Sequence, residues 1–181
     1  GVKYITLYSF STENWRRPEE EVHFLLSLIE QRLRIEGEEL CRNNVKVGFI
    51  GRRYELPLSL RTTMADVEKM TEGNTGLTLI FAINYGARQE LVDAVKKILV
   101  SGVSAQEVNE ELVEKNLYTA GIPTPDLIIR TSGEKRLSNF LLWQASYAEL
   151  YFTPVLWPDF KEEDFVKALV YYQKRKRRFG G

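Results

Sequence analysis

Cysteine is almost missing from this chain. Cys41 is the one cysteine among 181 residues, which excludes an internal disulfide and any cysteine-built metal cluster and fits a reducing, cytosolic compartment. Histidine is equally scarce: His23 stands alone, inside a helical pattern where a surface or packing role outweighs catalysis. Net charge is missing too. Lys plus Arg and Asp plus Glu both number 25, so there is no global basic field of the kind that draws nucleic acid. No apolar run approaches the roughly 20 residues of a membrane span, and no signal-peptide pattern is visible. What remains is 44% hydrophobic and 28% charged residues, the composition of a folded globular protein. A chain of this length suits one domain that buries about 70% of its unfolded surface.

Residue 1 is Gly, and Val2 to Phe10 already reads as a core strand, β-branched, aromatic and apolar enough to be covered on both faces. The expectation is that sequence precedes Gly1. Pro18 sits where a first helical residue would, with Glu19, Glu20 and Glu21 in the first turn, and Val22, Leu25, Leu26, Ile29, Leu33 and Leu40 continue at helical spacing. Further strands are predicted over Val45–Ile50, Leu77–Ile83, Asp126–Arg130 and Glu149–Phe152. Helices are predicted from Pro57 to about Met70, over Ala87–Val100 with Leu91, Val92, Val95, Ile98 and Leu99 on one face, after a Ser104/Glu107 capping box, and over Asp164–Arg178. Strands alternating with helices predict a single α/β domain with a largely parallel central sheet flanked by helices.

Ligands of open parallel sheets bind beyond the carboxyl ends of the strands. Three such ends are polar here: Ser11–Arg17, Asn84–Arg88 and Arg130–Asn139. The last combines two arginines with small hydroxyl residues and a glycine. Small residues let backbone N–H groups approach an anion, and arginine suits forked contact with phosphate oxygens. Arg130, Arg136 and Ser138 are therefore the candidate diphosphate site; the competing reading pairs Arg130 with a structural carboxylate and leaves Arg136 solvated. Glu149 is either a salt-bridge partner or one carboxylate ligand for Mg2+ beside a diphosphate. Asn14, Trp15 and Arg17 crowd one turn that a helix cap would also explain, although an exposed Trp15 is harder to account for that way. The stripe Leu25, Leu26, Leu28, Ile29 is either core or the wall of an apolar tunnel. The basic run Lys174–Arg178 is a solvated helix end or an attractor of anionic surfaces.

Taken in order, Ser11-Thr12-Glu13-Asn14-Trp15-Arg16-Arg17-Pro18, Asn84-Tyr85-Gly86, Arg130-Thr131-Ser132-Gly133-Glu134, Arg136-Leu137-Ser138-Asn139-Phe140, Glu149-Leu150-Tyr151-Phe152 and Trp157-Pro158-Asp159-Phe160 resemble the cis-prenyltransferases, above all the bacterial undecaprenyl diphosphate synthases. The resemblance runs from Gly1 to Gly181. It implies repeated cis condensation of isopentenyl diphosphate onto farnesyl diphosphate, giving a polyprenyl lipid carrier for cell-wall synthesis. It further implies Mg2+ as cofactor and a homodimer that is cytoplasmic and peripheral at the membrane surface, with no nucleic acid as partner.

The same resemblance assigns roles. Arg130, Arg136, Leu137 and Ser138 hold isopentenyl diphosphate, Glu149 is a Mg2+ ligand, and Ser11, Thr12 and Glu13 contact substrate. Asn14 is the proton acceptor, although its amide is a weak base and a phosphate oxygen is an alternative. Trp15 and Arg17 belong to a loop that closes over substrate. Leu25, Leu26, Leu28 and Ile29 line the product tunnel, and Arg178 and Gly180 complete the neighbouring subunit's site. One departure stands out: the family's opening Asp-Gly-Asn-Gly-Arg-Trp motif, which carries a Mg2+-binding Asp, is not in this sequence, so the expectation is that the chain alone is inactive. Two other readings compete. An inactive accessory subunit of a prenyltransferase pair would usually lose the Arg and Ser pattern kept here, and a nucleotide- or nucleic-acid-binding α/β module sits badly with zero net charge.

Overall fold

The computed structural model describes residues 1–175 and forms two compact units, Gly1–Ile122 and Pro123 onward. Each is an α/β arrangement with parallel strands, as the alternation of strands and helices predicts.

In the first unit β1 (Tyr4–Ser11), β2 (Lys46–Ile50) and β3 (Thr78–Tyr85) form one parallel sheet in the order β1-β3-β2. The registers Tyr4↔Thr78 and Lys46↔Thr78 align both outer strands with the start of β3. The buried centre is β3, whose last four residues are all buried. In β1, expected to be covered on both faces, only Phe10 is buried. A strand hydrogen-bonded on one side keeps more of its surface open than one paired on both.

The helix α1 (Glu19–Arg42) starts one residue later than expected, because Pro18 takes the cap position. It carries three acidic residues in its first turn and Arg42 in its last, both favourable to the helix dipole. It packs on α2 (Leu58–Thr71) and the sheet through Val22, Leu26, Leu33, Leu60, Met64 and Val67, with Phe10, Phe49 and Ile83 from the strands. Gly37 lets the two helices approach; a Cβ there would sit 3.1 Å from Val67 Cγ2. Buried Thr71 joins α2 to β2 by donating to Val67 O at 2.9 Å while accepting from Val47 N at 3.0 Å.

The helix α3 (Ala87–Val100) forms where expected, but a different face is inward. Ala87, Glu90, Ala94 and Ile98 are buried, whereas Val92, Val95 and Leu99 are 50%, 51% and 71% exposed. Glu90 is drawn in because its carboxylate is satisfied, accepting from Tyr85 Oη at 2.5 Å and Tyr118 N at 2.9 Å. The Ser104/Glu107 box caps only a single 3-10 turn, Ala105–Glu107. The next helix, α4 (Glu110–Asn116), is capped by Asn109, which accepts from Leu112 N.

Two features hold the carboxyl ends of β2 and β3 together. Gly51 lies at φ +120°, where an added Cβ would be 2.1 Å from Ile83 O. Arg52 then donates its backbone N–H to Asn84 O at 3.1 Å and grips Asp93 of α3 with Nε and Nη2, at 2.8 and 2.9 Å. Tyr118 Oη also donates to Asp93. Burial pushes the Asp93 carboxyl up, but the hydrogen bonds from Arg52 and Tyr118 outweigh it and hold the group below its ordinary range.

In the second unit β4 (Leu127–Arg130) pairs in parallel with β5 (Glu149–Phe152), from Leu127↔Glu149 to Arg130↔Phe152. The five strands are thus hydrogen-bonded as a three-stranded and a two-stranded sheet where one sheet was expected. The helix α5 (Glu162–Gln173) closes the described part of this unit. Its end falls before the expected Arg178, which lies outside the described residues.

Two outcomes follow for stability. Gly51→Ala combines backbone strain with a backbone clash and should cost more than about 2 kcal/mol, seen as a lower urea midpoint with unchanged slope. Asp93 has a folded pKa below its unfolded one, so its contribution is present above the ordinary carboxyl range and lost as pH falls through the folded value. Acid unfolding of the wild type should therefore steepen below about pH 4, and Asp93→Asn should flatten that part of the profile.

Candidate active site

The turn after β1 is a 3-10 segment, Thr12–Arg16. Asn14 closes it, its Oδ1 accepting from Ser11 N at 2.7 Å and from Ser11 Oγ at 3.0 Å. Both lone-pair directions of that oxygen are thereby used, leaving Nδ2 as the amide group without a partner among the described residues. Thr12 donates to Glu13 Oε2 at 3.2 Å, and Arg17 is ion-paired to Glu21 one helical turn on. Trp15 is 40% exposed, yet it is fixed at both ends of its ring system. Its indole N–H donates to Asn84 Oδ1 at 2.7 Å, and its ring meets Phe10 edge-on with centroids 5.4 Å apart. The turn is thus more than a helix cap: it reaches across to the carboxyl end of β3.

Of the expected tunnel residues, Leu26 lies in the core, Leu25 and Ile29 pack partly buried against it, and Leu28 is exposed. Positions 25, 26, 28 and 29 span about 160° of the helix circumference, and that arc runs from the core at Leu26 to solvent at Leu28.

Arg130 ends β4. Its guanidinium has no hydrogen bond or ion pair among the described residues, and its Nε is buried without a partner. The reading in which a structural carboxylate holds Arg130 therefore finds no support within the described residues. A buried, unsatisfied cationic donor is costly, and an anion arriving from solvent would relieve that cost. The loop beyond it is anchored to the segment after β5: Ser132 N donates to Val155 O at 2.8 Å and Gly133 N to Thr153 O at 2.9 Å. Within it Ser132, Gly133, Ser138, Asn139 and Leu141 all have positive φ, between 46° and 69°. Left-handed backbone costs about 1–2 kcal/mol per non-glycine residue, and such strain gathers where backbone N–H groups must be presented to a ligand. Arg136 is exposed and ion-paired with Glu134, two residues earlier, while Ser138 is exposed and Leu137 half-buried.

Glu149 opens β5. Along the ladder it faces Leu127, three residues or roughly 10 Å from the Arg130 end. Its Oε2 accepts from Arg175 Nε at 2.9 Å, and Arg175 in turn lies over the Tyr171 ring. The ladder therefore does not itself bring Glu149 to Arg130. For Mg2+ the chemistry of a carboxylate is right, but no cluster of three or more His, Cys, Asp or Glu suited to a metal occurs among the described residues. A lone carboxylate could supply one ligand of such an ion, the rest coming from diphosphate oxygens and water, and in this structure Glu149 Oε2 is held by Arg175. His23 is exposed, with Nε2 3.6 Å from Glu19, as its surface reading predicts. Arg178 and Gly180 lie outside the described residues.

Sequence reasoning singled out the Asn84 segment but missed what Asn84 does; its signal was a polar residue at the end of the most apolar strand.

Comparison with known proteins places this geometry. Residues 1–180 match the family model described as "Putative undecaprenyl diphosphate synthase". The isoprenyl transferase of Thermotoga maritima is 52% identical over 100% of this chain and 78% of its own length. That of Geobacillus kaustophilus is 51% identical, over 100% and 72%. Among solved structures, lavandulyl diphosphate synthase from Lavandula x intermedia, in complex with dimethylallyl diphosphate, superposes with a TM-score of 0.95 at 37% identity, covering 100% of this chain and 80% of that one. A probable undecaprenyl diphosphate synthase from Campylobacter jejuni gives 0.89 at 37% identity, over 99% and 84%. A match along the whole chain, with half of the residues identical to curated isoprenyl transferases, shows that this chain belongs to the undecaprenyl diphosphate synthase family of cis-prenyltransferases.

Proposed function

We propose that the protein condenses isopentenyl diphosphate with farnesyl diphosphate in repeated cis additions, making the long polyprenyl diphosphate that carries cell-wall precursors. The observation that carries this is Arg130, a cation without a protein partner among the described residues and with a buried donor, at the carboxyl end of a parallel strand. Arg130, Arg136, Leu137 and Ser138 bind isopentenyl diphosphate. Arg136 exchanges Glu134 for the ligand, a small loss because that pair is exposed. Ser11, Thr12, Glu13, Trp15 and Arg17 serve the allylic substrate.

In each addition the bond from allylic C1 to its diphosphate oxygen breaks. C1 bonds to the terminal alkene carbon of the isopentenyl unit, and a C2 proton leaves. Donors aimed at the departing diphosphate stabilise the charge that develops there. The Asn14 Oδ1 already accepts twice from Ser11, which favours a diphosphate oxygen as the proton acceptor and leaves the Asn14 amide as a donor. Glu149 would hold Mg2+, which neutralises diphosphate charge when bound. The protein acts as a homodimer, peripheral at the membrane; no described helix is long and apolar enough to cross it. The allylic substrate is the less constrained choice, because a structural relative at 37% identity holds the shorter dimethylallyl diphosphate.

The full-length protein should incorporate radiolabelled isopentenyl diphosphate onto farnesyl diphosphate in the presence of Mg2+; no incorporation with any allylic acceptor would refute the reading. Arg130→Ala should raise KM for isopentenyl diphosphate roughly tenfold or more, as expected for lost hydrogen bonds to a charged ligand. KM for farnesyl diphosphate should move far less. Equal effects on both would contradict the assignment of Arg130.

A further inference from the structure

Asn84 is fully buried, has φ +50° and lies at the end of the central strand β3. Every polar atom of its side chain is used. Nδ2 donates to Arg52 O at 3.0 Å and to Glu55 Oε2 at 2.7 Å. Because both of those groups are acceptors, the amide can face them only with its nitrogen. Oδ1 is left pointing at the Trp15 indole, 2.7 Å away. The orientation of the amide is thus set from the β2 side and read out on the β1 side. Arg52 is itself immobilised by its two-pronged grip on Asp93. Asparagine suits the position, since it tolerates left-handed backbone better than other non-glycine residues.

We propose that Asn84 is a positioning residue for the transfer reaction: it clamps the Trp15 indole and thereby holds the Thr12–Arg16 turn, with Asn14 and Arg17 beside it, in its working conformation. The inference rests on the prenyltransferase reading. Without the clamp, Trp15 keeps its edge contact with Phe10 but loses its hydrogen bond. The turn, otherwise held by the Ser11–Asn14 contacts and by the bond from Arg17 N to Asn14 O, samples other conformations. The penalty falls on turnover, since the turn must be in place when the allylic bond breaks.

Two variants isolate the clamp. Asn84→Gly removes the amide while accepting φ +50° without strain, and Trp15→Phe removes the N–H while keeping a ring against Phe10. In 15N-indole-labelled protein the Trp15 resonance is identified by its loss in Trp15→Phe. Its N–H should exchange with solvent at least tenfold more slowly in the wild type than in Asn84→Gly. In the full-length enzyme each variant should lower kcat about tenfold with a smaller change in KM. The double variant should be no worse than either single one, as expected for two partners in one interaction.

Unprotected indole exchange in the wild type, or additive kinetic losses in the double variant, would overturn the proposal. Should Asn84→Gly fail to melt cooperatively, Trp15→Phe decides alone, because it alters a partly exposed ring, and unchanged kcat in that variant would refute the clamp. Failure of the prenyltransferase reading looks different: a wild type with a protected Trp15 N–H and no transfer to any allylic diphosphate.

Discussion

A strand that is apolar on both faces must end somewhere, and its last residues still carry backbone groups that need partners once water is excluded. At the end of β3 that need is met by one turn of β2. Gly51 approaches so closely that no side chain fits, Arg52 bonds to the Asn84 carbonyl, and the Asn84 amide returns a bond to the Arg52 carbonyl. Around this reciprocal contact a polar network gathers. Asp93 and Tyr118 fix Arg52, Glu90 satisfies Tyr85, and Trp15 takes the one acceptor left over. The carboxyl end of the sheet is consequently polar yet tied across its strands by hydrogen bonds, which is the condition for placing reactive groups there without loosening the strands.

How far the sequence was legible follows from the kind of force involved. Strands rich in β-branched and aromatic residues were readable to within about two residues, because their signals are local; β5 and α3 fell where expected, while α5 ends at Gln173, short of the expected Arg178. The inward face of α3 was not readable. Of the face formed by Leu91, Val92, Val95, Ile98 and Leu99 only Ile98 is buried, and Ala87, Glu90 and Ala94 join it inward. That choice depends on two tyrosines, Tyr85 and Tyr118, which lie in other elements and offer a buried carboxylate its hydrogen bonds. The Ser104 cap misled for a related reason: a local motif specified a turn but not its continuation into a helix. For the site, the ordered motifs gave the family outright. The partner of each side chain, Asn84 for Trp15 and Arg175 for Glu149, depends on strand order, which no local pattern encodes.

The arginines show how one residue type divides between architecture and chemistry. Arg53 is held by Glu68, which takes a bond from each terminal nitrogen, by Phe49 O, and by the Phe49 ring beneath. Arg52 is matched by Asp93 and Glu55. Such residues are committed to holding the fold, and removing their carboxylates would leave charge uncompensated. Arg130 is the opposite case. It has no carboxylate among the described residues, its Nε is buried, and the loop that follows holds five residues in left-handed backbone. Neither an unsatisfied cation nor strained backbone stabilises a fold, so both raise the energy of the free protein. On the function proposed above, a diphosphate would relieve the first of these by supplying oxygens to the Arg130 guanidinium. Binding there would gain from relieving what folding left unsatisfied at the end of β4, although the chain as a whole carries no net charge.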